Sequence, residues 1–326
     1  MSRLFHALFM LFVITLLNGC WFSKHDIQRW DIATQGSTSS ALSRDGRFAL
    51  VYSEQEHLLL WDLHTNEQLR ALGQLDPQGS IVTHIRFADN QRYAITAGQQ
   101  HFATWDFTWD RAQGLWSISD GVILAVDISA NGERALLGLS NGKAILVNLV
   151  TGRRLEFLAH QEKVTTVALS ANGRYALTGG NDRKAYFWDT QNGQILHQFD
   201  HQQRINKVAL QRDGLYAFSS DIGNRAVIWD LKTGQEKSQL HSWARQLVFS
   251  SVRFSNDGHY LLTGMASSRV NIWDTGNGDS LAQFDVAPLK DARPPRAVVY
   301  DATFDNQGRV ITTSSAGIIQ AWHVEL

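Results

Sequence analysis

Short apolar segments separated by turn dipeptides run along most of the chain, and their pattern predicts strands. The stretch from 164 to 199 shows the design most fully. Val164 to Leu169, Tyr175 to Thr178, Lys184 to Trp188 and Gln194 to Phe199 read as four successive strands. The third contains Ala185-Tyr186-Phe187-Trp188, apolar on both faces, as expected of a strand sandwiched between neighbouring sheets rather than half exposed. No segment of helical period and useful length follows the first twenty residues, so the expected class is all-β.

The turns recur with a period. Asp45-Gly46, Asn90-Gln91, Asn131-Gly132, Asn172-Gly173, Asp213-Gly214, Asp257-Gly258 and Gln307-Gly308 lie 45, 41, 41, 41, 44 and 50 residues apart. A period in this range indicates a propeller, one blade per repeat. Asn-Gly and Asp-Gly suit a tight hairpin whose two central residues both take positive φ, and that turn is expected here. A second signal is phased to the first: Trp61-Asp62, Trp105-Asp106, Val147-Asn148, Trp188-Asp189, Trp229-Asp230, Trp273-Asp274 and Trp322-His323. Further turns at Thr151-Gly152, Asn192-Gly193, Thr233-Gly234 and Asn277-Gly278 lead into a fourth strand. The sum is a single seven-bladed β-propeller of four-stranded antiparallel blades. The seventh unit ends on its third strand at Trp322 to Leu326, and Asp26 to Ala33 (DIQRWDIA) has strand composition. The expected closure has this N-terminal strand completing the last blade, which leaves fewer exposed edges.

This layout of turn dipeptide, small-residue strand, Trp-Asp and turn resembles the WD-repeat family over residues 26–326. The resemblance implies a hydrogen-bonded tetrad of His, Ser or Thr, Asp and Trp within a blade. The fourth unit has all four as His160, Thr178, Asp182 and Trp188. The fifth keeps His201, Ser219 and Trp229 with Gly223 at the acidic position; the sixth has His241, Thr263 and Trp273 with Ser267 there.

The first twenty residues are of another kind. Arg3 precedes the apolar run Leu4 to Leu17, shorter than the roughly 20 residues a spanning helix needs. It ends at Leu17-Asn18-Gly19-Cys20, which resembles the lipobox of bacterial lipoproteins, with Asn18 departing from the usual small residue. The resemblance implies a signal peptide over 1–19, lipidation of Cys20, and a tether over 20–25 ahead of the propeller at 26–326. An ordinary signal peptide cut near Gly19 and an uncleaved anchor are the other readings. Cys20 is the one cysteine of the chain, so no intramolecular disulfide forms. Two or three acyl chains anchor stably where one does not. Trp21 stands where the inner-membrane retention signal has aspartate, and by resemblance the address is the outer membrane, facing the periplasm.

Thirty basic residues against 31 acidic ones, with no run of five like charges, give no nucleic-acid footprint. Nucleophile-elbow, His-Glu-x-x-His and phosphate-loop motifs are missing from the sequence, so no catalytic residue, metal or cofactor is assigned. The docking tryptophan of quinoprotein propellers does not follow Thr151-Gly152 or Thr233-Gly234.

Loop length points to a partner surface instead. The longest spacing holds Asp285 to Val298 (DVAPLKDARPPRAV), with three of the four prolines and Lys290, Arg293 and Arg296. The preceding inter-blade loop carries Trp243 and Arg245. Both join a fourth strand to the next first strand, so they share a face and are expected to meet. Trp and Arg dominate interface energies, and proline lowers the ordering cost of a loop. The extension Phe107 to Gln113, with Trp109, is a weaker candidate on the opposite face. The reading is a lipid-anchored scaffold for protein partners in the cell envelope. The alternative is a propeller enzyme or small-ligand sensor, which would require polar residues clustered along the central channel.

Overall fold

The computed structural model describes residues 26–72, 81–108, 111–242 and 247–326. The first hairpin shows how the local chain sets its strands. Ser43 O accepts from Gly46 N at 3.0 Å, and Ser43 Oγ accepts from Phe48 N at 2.8 Å while donating to Asp45 Oδ1 at 2.6 Å. Asp45 Oδ1 also accepts from Arg47 N at 3.1 Å. The same Ser-x-Asn/Asp-Gly wiring closes the hairpins at Ser129, Ser170 and Ser255. Only the second member of each turn pair has positive φ, from 65° at Gln91 to 74° at Gly258 and Gly308. The expectation of two positive-φ residues is therefore corrected. These are type I turns followed by one left-handed residue, and the Asp or Asn is selected by its side-chain acceptor, not by its backbone.

Seven four-stranded antiparallel sheets result, in the all-β propeller arrangement expected. Blade one is Ser39–Leu42, Phe48–Ser53, His57–Asp62 and Glu67–Ala71, and five more blades repeat this order through Asp285. Blade seven takes Val299–Phe304, Val310–Ser314 and Ile318–Trp322 from the C-terminal end and its outermost strand, Asp26–Asp31, from the N-terminal segment. The register pairs Asp26 with Trp322 and Asp31 with Ile318. Beyond the ladder, Ile32 N and Ala33 N both donate to Gly317 O at 3.0 Å.

The core is divided among the blade junctions. One apolar cluster lies between each pair of neighbours around the ring, for example Leu177, Phe187 and Phe199 of blade four against Val208, Val227 and Trp229 of blade five. The junction of blades seven and one contains Trp30, Ile32 and Ala33 together with Leu42, Val51 and Ile319. The closing strand thus contributes core, not just ladder bonds.

The aspartate of each Trp-Asp pair has a local task. Asp62, Asp106, Asp189, Asp230 and Asp274 each accept from the backbone N–H two residues on, capping the turn into the fourth strand. In blades one, two and four the same carboxylate also receives the arginine that follows the hairpin turn. The pairs are Arg47–Asp62 at 2.8 Å, Arg92–Asp106 at 2.7 Å and Arg174–Asp189 at 2.7 Å.

Removing Trp30 empties a buried site at the closure. Trp30→Ala is expected to cost about 3–5 kcal/mol and to lower the thermal midpoint by about 5–10 °C, and deleting Asp26–Ala33 to lower it further. An unchanged midpoint in calorimetry would rule out this closure. The hydrogen bonds of Arg92, opposed by burial, lower the Asp106 carboxyl to about 2. Because the folded value lies below the unfolded one, its stabilisation is complete above about pH 5 and is lost as pH falls through about 2. Asp106→Asn should therefore melt earlier than the parent at pH 7, with the gap closing toward pH 2.

Candidate functional site

The family tetrad is only partly wired in blade four. His160 Nδ1 lies 3.0 Å from Asp182 Oδ2 and its Nε2 2.9 Å from Thr178 Oγ1. Burial pushes the Asp182 carboxyl up, but the His160 hydrogen bond and charge and the Gln161 N–H outweigh it and hold it lowered. Trp188 Nε1 has no partner among the described residues; its indole stacks on Phe157 at 4.5 Å. In blade five, Ser219 Oγ receives Trp229 Nε1 at 2.8 Å and contacts His201 Nε2 at 2.7 Å. The charge beside His201 comes from Asp221, 3.5 Å away, and not from position 223, where the motif spacing puts Gly223. Asp221 ends the second strand, and its other oxygen accepts from Gly223 N.

Blade six departs further. His241 is exposed and pairs with Asp279 at 3.2 Å, so it is not a tetrad member. Leu240 N donates to Ala226 O, extending the fourth strand by one residue and carrying His241 outward. The indole bond to Thr263 is kept at 2.8 Å. Two further indole bonds escaped the sequence comparison, Trp105 to Thr96 at 3.0 Å and Trp322 to Thr312 at 2.9 Å. Their signal is a threonine nine or ten residues before the tryptophan. The histidine and indole hydrogen bonds to Thr and Ser hydroxyls are buried and act on structure, whereas the His241–Asp279 pair is exposed.

Strand direction fixes which face each loop occupies. The hairpin turns and the turns after Trp-Asp lie on one face; the inter-blade loops lie on the other. On that loop face, residues 286–298 fold over the junction of blades six and seven. Ala287 N donates to Gln320 Oε1 at 2.8 Å and Ala297 N to Ser268 Oγ at 2.7 Å, with Val286 and Ala297 buried. Lys290, Arg293 and Arg296 are exposed and have no ion-pair partner among the described residues. Trp243, Arg245 and Trp109 lie outside the described residues, so the expected meeting of the two loops has no structural description.

The channel holds charges that the repeat pattern had not singled out. Alternate positions of the inner strands carry His84 and Arg86, Asp127, Lys207, Arg253 and Asp301. At the hairpin-turn end two ion pairs line the channel. Arg253 meets Asp301 at 2.5 Å, and Arg44 reaches Asp89 at 3.0 Å, around a space of about 100 Å³. At the loop end the channel opens into a funnel of about 360 Å³ lined by Arg86, Lys207, His84 and hydroxyls including Ser39 and Ser250. Arg86 borders both spaces.

Enclosure sets the protonation of these groups. Burial, with Arg86 adding repulsion, lowers the Lys207 amine to about 8. Burial, then Lys207 and Arg86, lowers His84 to about 4, so it is neutral at pH 7. Burial raises Asp127 to about 6 against the pull of Arg86. Its oxygens accept from Leu169 N at 2.7 Å and Ile128 N at 2.9 Å. Among the described residues there is no cluster of three or more His, Cys, Asp or Glu able to hold a metal, and no helix long and apolar enough to cross a membrane.

The family profile described as "WD domain, G-beta repeat" matches residues 152–189 and 238–274. Each matched segment opens in the outer strand of one blade and ends at the Trp-Asp of the next. The chain thus carries WD repeats in two places, within a fold consistent with a WD-repeat propeller. The one-strand offset between sequence repeat and blade is why the last repeat needs an outer strand from elsewhere. WD-repeat propellers commonly serve as scaffolds that bind protein partners, usually without catalysis. No curated protein matches this WD-repeat chain in sequence.

The channel chemistry is checkable without a ligand. In an NMR titration of labelled lysine side chains, one resonance, lost in Lys207→Gln, should have its midpoint near 8. A midpoint at the ordinary lysine value of about 10.4 would show that Lys207 is not enclosed as described.

Proposed function

We propose that this WD-repeat propeller is a lipid-anchored periplasmic scaffold, tethered through Cys20 to the outer membrane and accessory to an envelope protein complex. The observation that carries the reading is the opposition of anchor and loops. Asp26 pairs with Trp322, at the hairpin-turn end of blade seven, whereas the basic loop lies at the other end. Six residues from Cys20 to Asp26 reach at most about 20 Å. A lipid on Cys20 therefore holds the hairpin-turn face toward the bilayer and turns Lys290, Arg293 and Arg296 away from it.

That geometry suits capture of a partner rather than contact with lipid headgroups. Three exposed cations on a proline-stiffened loop complement an acidic patch, with Trp243 and Arg245 from the neighbouring loop as the aromatic and bidentate anchors. Such charges raise the association rate more than the final affinity, and their effect fades with salt.

Labelled palmitate should enter the parent chain and not Cys20→Ser; labelling of both would sink the anchor. From crosslinked envelopes, a variant with Lys290, Arg293 and Arg296 all changed to alanine should recover its main partner about tenfold less at low salt, with an unchanged thermal midpoint. Equal recovery would move the partner surface elsewhere.

A further inference from the structure

We infer that the open funnel on the loop face binds a small hydroxylated oxyanion, a sugar phosphate or a sugar acid, with Arg86 and Lys207 on the anionic head and His84 beside them. Two like charges, both half-buried, converge there. Neither the Arg86 guanidinium nor Lys207 Nζ has a hydrogen-bond or ion-pair partner within 4 Å among the described residues. A half-buried cation without a protein partner is met by water or by a ligand anion.

The nearest carboxylates do not discharge them. Asp127 already takes two backbone N–H donors, and burial raises it to about 6 although Arg86 is close. Asp89 and Asp301 are held by Arg44 and Arg253 at the other end of the channel. The funnel end is thus left with net positive charge, facing Tyr300 and neutral His84.

The rim indicates what else the ligand carries. Ser39 Oγ donates to Val82 O at 2.8 Å, Thr165 Oγ1 to Ile205 O at 3.3 Å and Ser250 Oγ to Val299 O at 2.7 Å. Their protons are committed, so these oxygens can only accept. A ligand that fits both halves has an anionic group for the cations and hydroxyl protons for the rim. At about 360 Å³ the funnel lies near the lower end of the roughly 300–1,000 Å³ of small-molecule sites. This inference does not depend on the anchor or on the basic loop.

Calorimetry on the full chain in detergent, at constant ionic strength, tests it with glucose 6-phosphate, glucuronate and glucose. At least one anionic sugar should bind one per chain, about tenfold or more tighter than glucose, and Lys207→Gln and Arg86→Gln should each weaken it about tenfold. Should either variant fold poorly, the parent chain suffices. Saturating anionic sugar should slow acetylation of Lys207 by acetic anhydride, read by peptide mass spectrometry, several-fold relative to glucose. The inference is overturned if neither anionic sugar binds better than glucose, if binding persists in both folded variants, or if Lys207 acetylation is unaffected.

Discussion

A four-stranded blade is too thin to have an interior, and everything in this molecule follows from that. Its sheet can bury apolar side chains only against the next sheet, so the core is seven inter-blade layers, each formed by two blades. A ring is the arrangement in which no sheet is left with an uncovered face. The junction between blades seven and one is the vulnerable one. There Trp30, Ile32 and Ala33, from a segment almost three hundred residues away in sequence, complete the layer. Closure is therefore a packing event as well as a pairing event.

Polar contacts work within that frame. The inner strands present one free edge to the channel, and the side chains of each blade reach the N–H groups of the next. Asp127 accepts from Leu169 N, Thr166 from Val208 N, Asn206 from Phe249 N and Asp301 from Leu42 N. A polar residue in an inner strand is thus often a tie between blades. Arg86 and Lys207 differ because they have no bonding partner among the described residues, which separates a charge that serves the fold from one available to a ligand. The incomplete tetrads fit the same hierarchy. Stacking of Trp188 on Phe157 holds its indole although its N–H is unpaired, so apolar contact outweighs one missing hydrogen bond of about 1 kcal/mol.

The two faces divide the work. Short hairpins wired by Ser, Asp and Asn side chains make the face where Asp26 enters, with the Arg44–Asp89 and Arg253–Asp301 pairs at that end of the channel. Inter-blade loops vary in length on the other face, where the funnel opens and the basic loop projects. Val298 belongs both to the end of that loop and to the funnel lining.

Blade number, strand order and the borrowed outer strand were legible in the sequence because each rests on local chemistry repeated seven times. A left-handed residue in a turn, a capping aspartate and an apolar strand need only near neighbours in the chain. The tetrad was less legible. Spacing alone put Gly223 at the acidic position, which Asp221 serves from the end of the second strand, and put His241 in the tetrad, from which a one-residue extension of the fourth strand carries it outward. The channel charges were not legible at all. His84, Arg86, Asp127 and Lys207 come from three repeats, and in the sequence each is an ordinary polar residue on a short strand. Only ring closure brings them to one axis, and that shared position, not residue type, shifts their protonation and leaves two cations facing an open funnel.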